Sequence, residues 1–119
     1  MRKINLVEKG RLIDDFWSPK IIAELNNQQV KLAKFQGEFG WHFHKNEDEL
    51  FFVVEGQIEI HLRDQVIVLH PGECLVVPKG VEHNPISEKP SLVMLFEPDT
   101  TLNTGNIKND KTQTTLTRL

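Results

Sequence analysis

Glycine and proline punctuate the middle of this chain too often for a long helix to run through it. Gly37, Gly40, Gly56, the Pro71-Gly72 pair, Pro78, Gly80, Pro85, Pro90 and Pro98 leave between them runs of about 4–8 residues, the length of strands. Those runs are rich in Val, Ile, Leu and Phe. The alternation is cleanest in Gln57-Ile58-Glu59-Ile60-His61-Leu62-Arg63, where Ile58, Ile60 and Leu62 share one face and the polar residues take the other. Asp64-Gln65 reads as a tight turn into a strand at 66–69. Asn26-Asn27 reads as a hairpin turn between strands at 21–25 and 29–36. Further strands are expected at 39–45, 50–55, 74–77 and 92–97. Helix is confined to the N-terminus, at 5–13, where Gly10 lowers the propensity. The pattern predicts an all-β sandwich or barrel.

With 119 residues, the chain has the size of one domain. The expected core covers about residues 20–98. From Thr100 onward the chain is polar, with Leu102, Ile107, Leu116 and Leu119 as its apolar anchors. Residues 100–119 are therefore expected to be a loose tail, or an arm lying on the domain or on a partner.

Composition excludes several classes of function. Hydrophobic residues make up 39% and charged residues 26%, which argues against a disordered chain. No apolar run approaches the roughly 20 residues of a membrane-spanning helix, so no membrane partner is expected. A net charge of −3 with mixed signs lacks the basic footprint of a nucleic-acid binder. The single cysteine, Cys74, cannot form an internal disulfide, and it reads as a small core residue of its strand. The opening Met-Arg-Lys-Ile-Asn leads into no apolar signal stretch. The cytoplasm is the expected setting.

The five histidines are the main source of unusual chemistry. In Trp41-His42-Phe43-His44, strand geometry places both imidazoles on one face, one pleat repeat apart. Glu49 follows in an acidic turn and opens the next strand, from which its carboxylate can reach that face. His83 follows the Pro78-Lys79-Gly80 turn and offers a further imidazole. Three neutral imidazoles and one carboxylate suit Fe, Mn, Co, Ni or Zn. His61, on a polar strand face, and His70, before the Pro71-Gly72 turn, read as solvated.

The segment from Gly40 to Gly56 resembles the first motif of the cupin superfamily: His42-x-His44, four residues, Glu49, six residues, Gly56. From Gly72 the chain resembles the second motif: five residues, Pro78-x-Gly80, two residues, His83. Two positions depart from the pattern, with Gln36 where it has glycine and Ser87 where it has asparagine. The resemblance implies a jelly-roll β-barrel with one divalent metal held by His42, His44, Glu49 and His83. It also singles out Glu49 from its neighbours Glu47 and Asp48.

Cupins host many functions, so three classes are expected. One is a metal-dependent enzyme acting on a small organic molecule, with dioxygenase-type chemistry ahead of a sugar-phosphate isomerase. The isomerase would need a cationic clamp, and Lys31, Lys34 and Lys79 are poorly placed for one. The others are a non-catalytic small-ligand binder and a barrel merely braced by its ion. Phe39, Trp41 and Phe43 alternate opposite the histidines. This stripe, together with the common dimeric state of small cupins, leads us to expect a homodimer with the stripe covered by Trp17 and Ile21 or by a second subunit.

Overall fold

The computed structural model describes all of residues 1–119. It contains one short helix, α1 (Leu6–Gly10), and seven strands: β1 (Lys20–Leu25), β2 (Gln28–Glu38), β3 (Glu49–Glu55), β4 (Ile58–Leu62), β5 (Val66–Leu69), β6 (Cys74–Val77) and β7 (His83–Pro98). Asn5 caps α1 by accepting the Glu8 N–H at 2.9 Å, which satisfies one of the free donors of the first turn. Helix growth stops at Gly10, which is packed so closely that a Cβ there would sit 2.6 Å from Leu92 Cδ2.

Every strand pairing is antiparallel, and β7 is the hub. Its first part pairs with β4, and its second part lies between β2 and β3. The outer partners are β1 on β2, β6 on β3 and β5 on β4. The β1–β2 hairpin turns at Asn26 and Asn27, both at positive φ (48° and 63°), the backbone that two-residue hairpins require. The sheet closes into a jelly-roll barrel because alternate residues of non-neighbouring strands meet inside. Phe35 of β2, Phe51 and Val53 of β3, Ile58 and Ile60 of β4, and Val93 and Leu95 of β7 form one buried cluster with Trp17. A second cluster on the outer face joins Ile13, Ile22, Leu32 and Leu92, with Leu6 and Leu119 packed against it. Both chain ends therefore cover β2.

Residues 100–119 form an arm on the domain itself. The Ile21 N–H donates to Thr117 O and the Leu119 N–H to Ile21 O, while Thr101 and Thr104 are buried. Three local expectations need correcting. Residues 39–48 form no strand; Gly40, at φ 116°, breaks the alternation, and an isolated His42–His83 bridge is their sheet contact. Phe39 consequently turns inward against Trp17 and His42. Trp41 lies under the Arg63 guanidinium, 3.8 Å from its ring centre, so the aromatic stripe expected to favour pairing does not form. Finally, Cys74 is exposed, because the inward face of β6 is carried by Val77.

Candidate metal centre

The loop 39–48 carries two histidines inward because the start of β7 anchors it. His42 and His83 exchange backbone bonds, N to O at 3.0 and 2.9 Å. The Gly40 N–H donates to Asn84 Oδ1 at 2.8 Å, and the Gly80 N–H donates to His44 O at 2.7 Å. From the arm, the Phe43 N–H donates to Asn106 Oδ1 at 2.8 Å, and the Asn106 N–H returns a bond to Phe43 O. Glu49 arrives from β3 and His83 from the first position of β7.

One donor atom from each of His42, His44, Glu49 and His83 lies within 4.8 Å of every other, and all four residues are buried. His42 Nδ1 stands 3.0 Å from Gly40 O, and His83 Nδ1 stands 2.9 Å from Val81 O. Both rings therefore carry their proton on Nδ1, leaving Nε2 as a free lone pair, the arrangement of metal-binding imidazoles. Glu49 Oε1 is 3.3 Å from both His44 Nε2 and His83 Nε2. Neither nitrogen of His44 makes a hydrogen bond, although the side chain is buried. Such an atom costs about 1–3 kcal/mol when nothing satisfies it. A cation would occupy the point these donors share, so the donor set and its unpaired nitrogen fit a divalent transition metal.

Electrostatics favour the same occupant. Burial, then the neighbouring His83, lowers the His42 pKa from 6.5 to about 4, so this ring is neutral near pH 7. Burial alone would raise the Glu49 carboxyl, but the adjoining His44 and His83 rings, each with Nε2 3.3 Å from Oε1, and then the Glu97 carboxyl hold it well below the usual range. A cation can then meet a neutral imidazole at His42 and an ionised carboxylate at Glu49.

Beside the donors opens a cavity with about 360 Å³ of empty space, part of it continuous with solvent. Trp17, Phe35, Phe39, Phe51 and Leu95 form its apolar wall, while His42, Glu49, Glu97 and Asn103 are polar. No lysine or arginine lines it. Trp17 is fixed at φ 58°, with its Nε1–H donating to Gln36 O at 2.8 Å and its ring stacked 4.3 Å from Phe35.

The four residues expected to act together thus converge. His61 lies elsewhere, 2.8 Å from Glu59 Oε1 and half-buried, and His70 is exposed. Ser87 is buried and bonds Ser91 Oγ at 2.9 Å, away from the donors. Glu47 and Asp48 stay outside the cluster, where Asp48 accepts the Lys79 N–H at 2.8 Å. The sequence reasoning missed Glu97. Its carboxylate Oε1 accepts from Lys31 Nζ at 2.7 Å, with both side chains nearly inaccessible, and its Oε2 has no partner among conventional donors. Burial, then the negative Glu49, pushes the Glu97 carboxyl well above the usual range, and Lys31 opposes the rise. The signal was present in the sequence: Lys31 is in phase with Ala33 and Phe35, and Glu97 with Val93 and Leu95. Each is a charge on an apolar face.

A metal-capable His/Glu cluster inside a jelly-roll barrel defines a class of small β-barrel proteins. The family model described as a cupin domain matches residues 29–97, and the chain belongs to that family. Its barrel is similar to the crystal structure of a cupin-2 domain containing protein from Shewanella frigidimarina, with 48% identity and a TM-score of 0.78 over 80% of this chain and 93% of that one. Protein NMB1881 from Neisseria meningitidis is similar at 36% identity and a TM-score of 0.75, over 82% of this chain and 99% of that one. The uncharacterized protein YdbB of Bacillus subtilis (strain 168) is 44% identical over 63 residues. That stretch covers 52% of this chain and little more than half, 56%, of the relative.

Proposed function

We propose that this cupin holds one divalent transition metal through His42, His44, Glu49 and His83, and uses it to transform a small organic molecule in the adjoining cavity. The observation that carries the reading is the composition of the cavity: metal donors on one side, an aromatic wall on the other, and no cation between. A phosphorylated sugar would need a lysine or arginine clamp. Lys31, the inward-facing lysine of β2, is already taken by Glu97, and Lys79 is exposed in its turn. Dioxygenase-type chemistry therefore stands ahead of sugar-phosphate isomerisation.

When bound, an iron ion would supply redox chemistry with dioxygen, while Mn, Co, Ni or Zn would supply Lewis acidity. The chain itself contributes the rest. His42 and His83 are held in one tautomer by backbone carbonyls, and Trp17, Phe35 and Phe39 restrict water and orient an apolar group. A cytoplasmic setting and a homodimer belong to the same proposal. The test loads the purified protein anaerobically with Fe(II), then adds oxygen with catechol-, diketone- and thiol-type compounds. Oxygen uptake matched by product supports the reading. Tight retention of a compound without turnover would replace it with a binding function.

A further inference from the structure

Two of the three imidazoles in the cluster are oriented by the chain, and the third is not. His42 Nδ1 is held by Gly40 O at 3.0 Å and His83 Nδ1 by Val81 O at 2.9 Å. Each carbonyl lies two residues before its ring, so the local backbone fixes both tautomer and ring plane. His44 has no counterpart. Its Nδ1 is buried without a hydrogen bond, although the backbone around it is tied down. His44 O accepts the Gly80 N–H at 2.7 Å, and Phe43 exchanges two bonds with Asn106.

The surroundings of the rings differ in the same sense. His42 packs edge-on against Phe39, and His83 against Phe51. The aromatic neighbours of His44 are the other two histidines. Gly105 passes against Nδ1, where a Cβ would stand 3.2 Å away, but a glycine brings no side chain to hold the ring. His44 and Gly105 also border a second, polar cavity with about 450 Å³ of empty space, part of it continuous with solvent. Lys45, Glu47, Thr100 and Asn106 help to line it, and none of the other three donors reaches it. His42 and Glu49 instead line the aromatic cavity, which His44 does not.

We propose that His44 is the exchangeable donor of the metal centre: its ring leaves the ion towards the polar cavity when a small chelating molecule binds, while His42, Glu49 and His83 keep their hold. This rests on the metal reading above and names the donor through which that site admits its ligand. In the exchange the coordinate bond from Nε2 breaks, and the imidazole departs neutral with its lone pair. A lone pair of an anionic oxygen on the incoming molecule takes its place, so no proton or electron is transferred. A divalent ion with Glu49 leaves one positive charge, and the facing wall is aromatic. The ligand class is therefore a flat monoanion with two adjacent oxygen donors.

The test is two-bond proton–nitrogen NMR of protein with isotope-labelled histidine, using tropolone as the chelating monoanion. The His44 signal is identified by its loss in His44→Ala. In metal-free protein at about pH 8, His42 and His83 should show the single Nδ1–H tautomer and His44 a mixture of both. Zinc should move the Nε2 resonances of all three rings, and tropolone should then return that of His44 alone to its metal-free position. Zinc titration gives a second readout: His44→Ala should cost about tenfold less affinity than His83→Ala, because a ligand oriented by an outer partner binds that much better. If His83→Ala does not fold, the spectra of the wild type decide. Retention of all three zinc-shifted signals with tropolone bound overturns the proposal and leaves the metal site standing. So does displacement of His42 or His83, release of all three rings together, a single tautomer at His44, or no binding of tropolone. Failure of the wild type to take up zinc overturns both readings together.

Discussion

Lys31 Nζ and Glu97 Oε1 stand 2.7 Å apart with side-chain exposures of 2% and 1%, an ion pair sealed inside the barrel between β2 and β7. Removing one member strands the other in a medium that solvates it poorly. Lys31→Met alone is expected to cost about 3 kcal/mol of unfolding free energy, whereas Lys31→Met/Glu97→Leu should recover most of that loss. Urea unfolding of the two variants, compared at equal metal content, checks this. Similar stability for both would mean that the pair is not coupled.

His42 makes the metal-free protein sensitive to acid. Its folded pKa of about 4 lies below the unfolded value of 6.5 because of burial and then His83. Between those values the unfolded chain binds a proton that the folded chain refuses, so stability falls as the pH drops through the window and levels off below it. A shift of this size corresponds to about 3 kcal/mol. Glu49, held low, acts in the same direction at more acid pH, and Glu97, held high, acts in the opposite one. The His42 contribution is isolated by subtraction: His42→Asn should flatten the slope of unfolding free energy between pH 6.5 and 4. Equal slopes in the two proteins would refute it. The same depression moves the competition between protons and metal at His42 from the ordinary histidine range down towards pH 4.

The strands whose signals are local were legible in the sequence. Ile58 and Ile60 alternate inward as the pattern required, and Asn26-Asn27 turned the chain where two positive-φ residues were needed. The four donors were legible because their spacing matches a known motif. The loop at 39–48 was not, because its shape is set by bonds from Asn84, Gly80 and Asn106, far away in sequence. Phe39 followed that loop inward, against the alternation. Lys31 and Glu97 were each visible as a charge on an apolar face, but their meeting depends on the β2–β7 register, which pairs Lys31 with Leu95 and so sets it diagonally across from Glu97, 66 positions away. Cys74 was misplaced because a four-residue strand with no alternating polar residue does not say which face is buried.

His44 should reveal a conflict between stability and metal binding. Its two ring nitrogens are buried without hydrogen bonds, and a bound cation would satisfy the lone pair. In metal-free protein, His44→Leu is therefore expected to be neutral or stabilising by about 1 kcal/mol, since the desolvation cost disappears. The same change, like His44→Ala, should lower metal content at neutral pH severalfold. His61→Ala should leave it unchanged, because that ring contacts Glu59 away from the donors. Elemental analysis with parallel thermal melts checks both halves. Equal metal loading in the His44 and His61 variants would refute the ligand assignment.

The arm is expected to matter to the site through Gly105. At φ 59°, this residue passes so close to the donor loop that a Cβ would lie 2.2 Å from Phe43 O and 3.2 Å from His44 Nδ1. Neither strain nor clash can be relieved by rotating a side chain, because the nearest atom belongs to the backbone. Gly105→Ala should therefore push the arm off the loop and weaken the paired Phe43–Asn106 bonds, at a cost of about 2 kcal/mol. The barrel core does not involve residue 105, so cooperative unfolding should survive. Two local readouts should change: faster proteolytic cleavage within residues 100–119, and weaker metal binding as His44 loses its support. Asn106→Ala, which removes one of the two bonds without a clash, should give a smaller change of the same kind. If Gly105→Ala leaves both cleavage and metal affinity as in the wild type, the arm does not brace the donors.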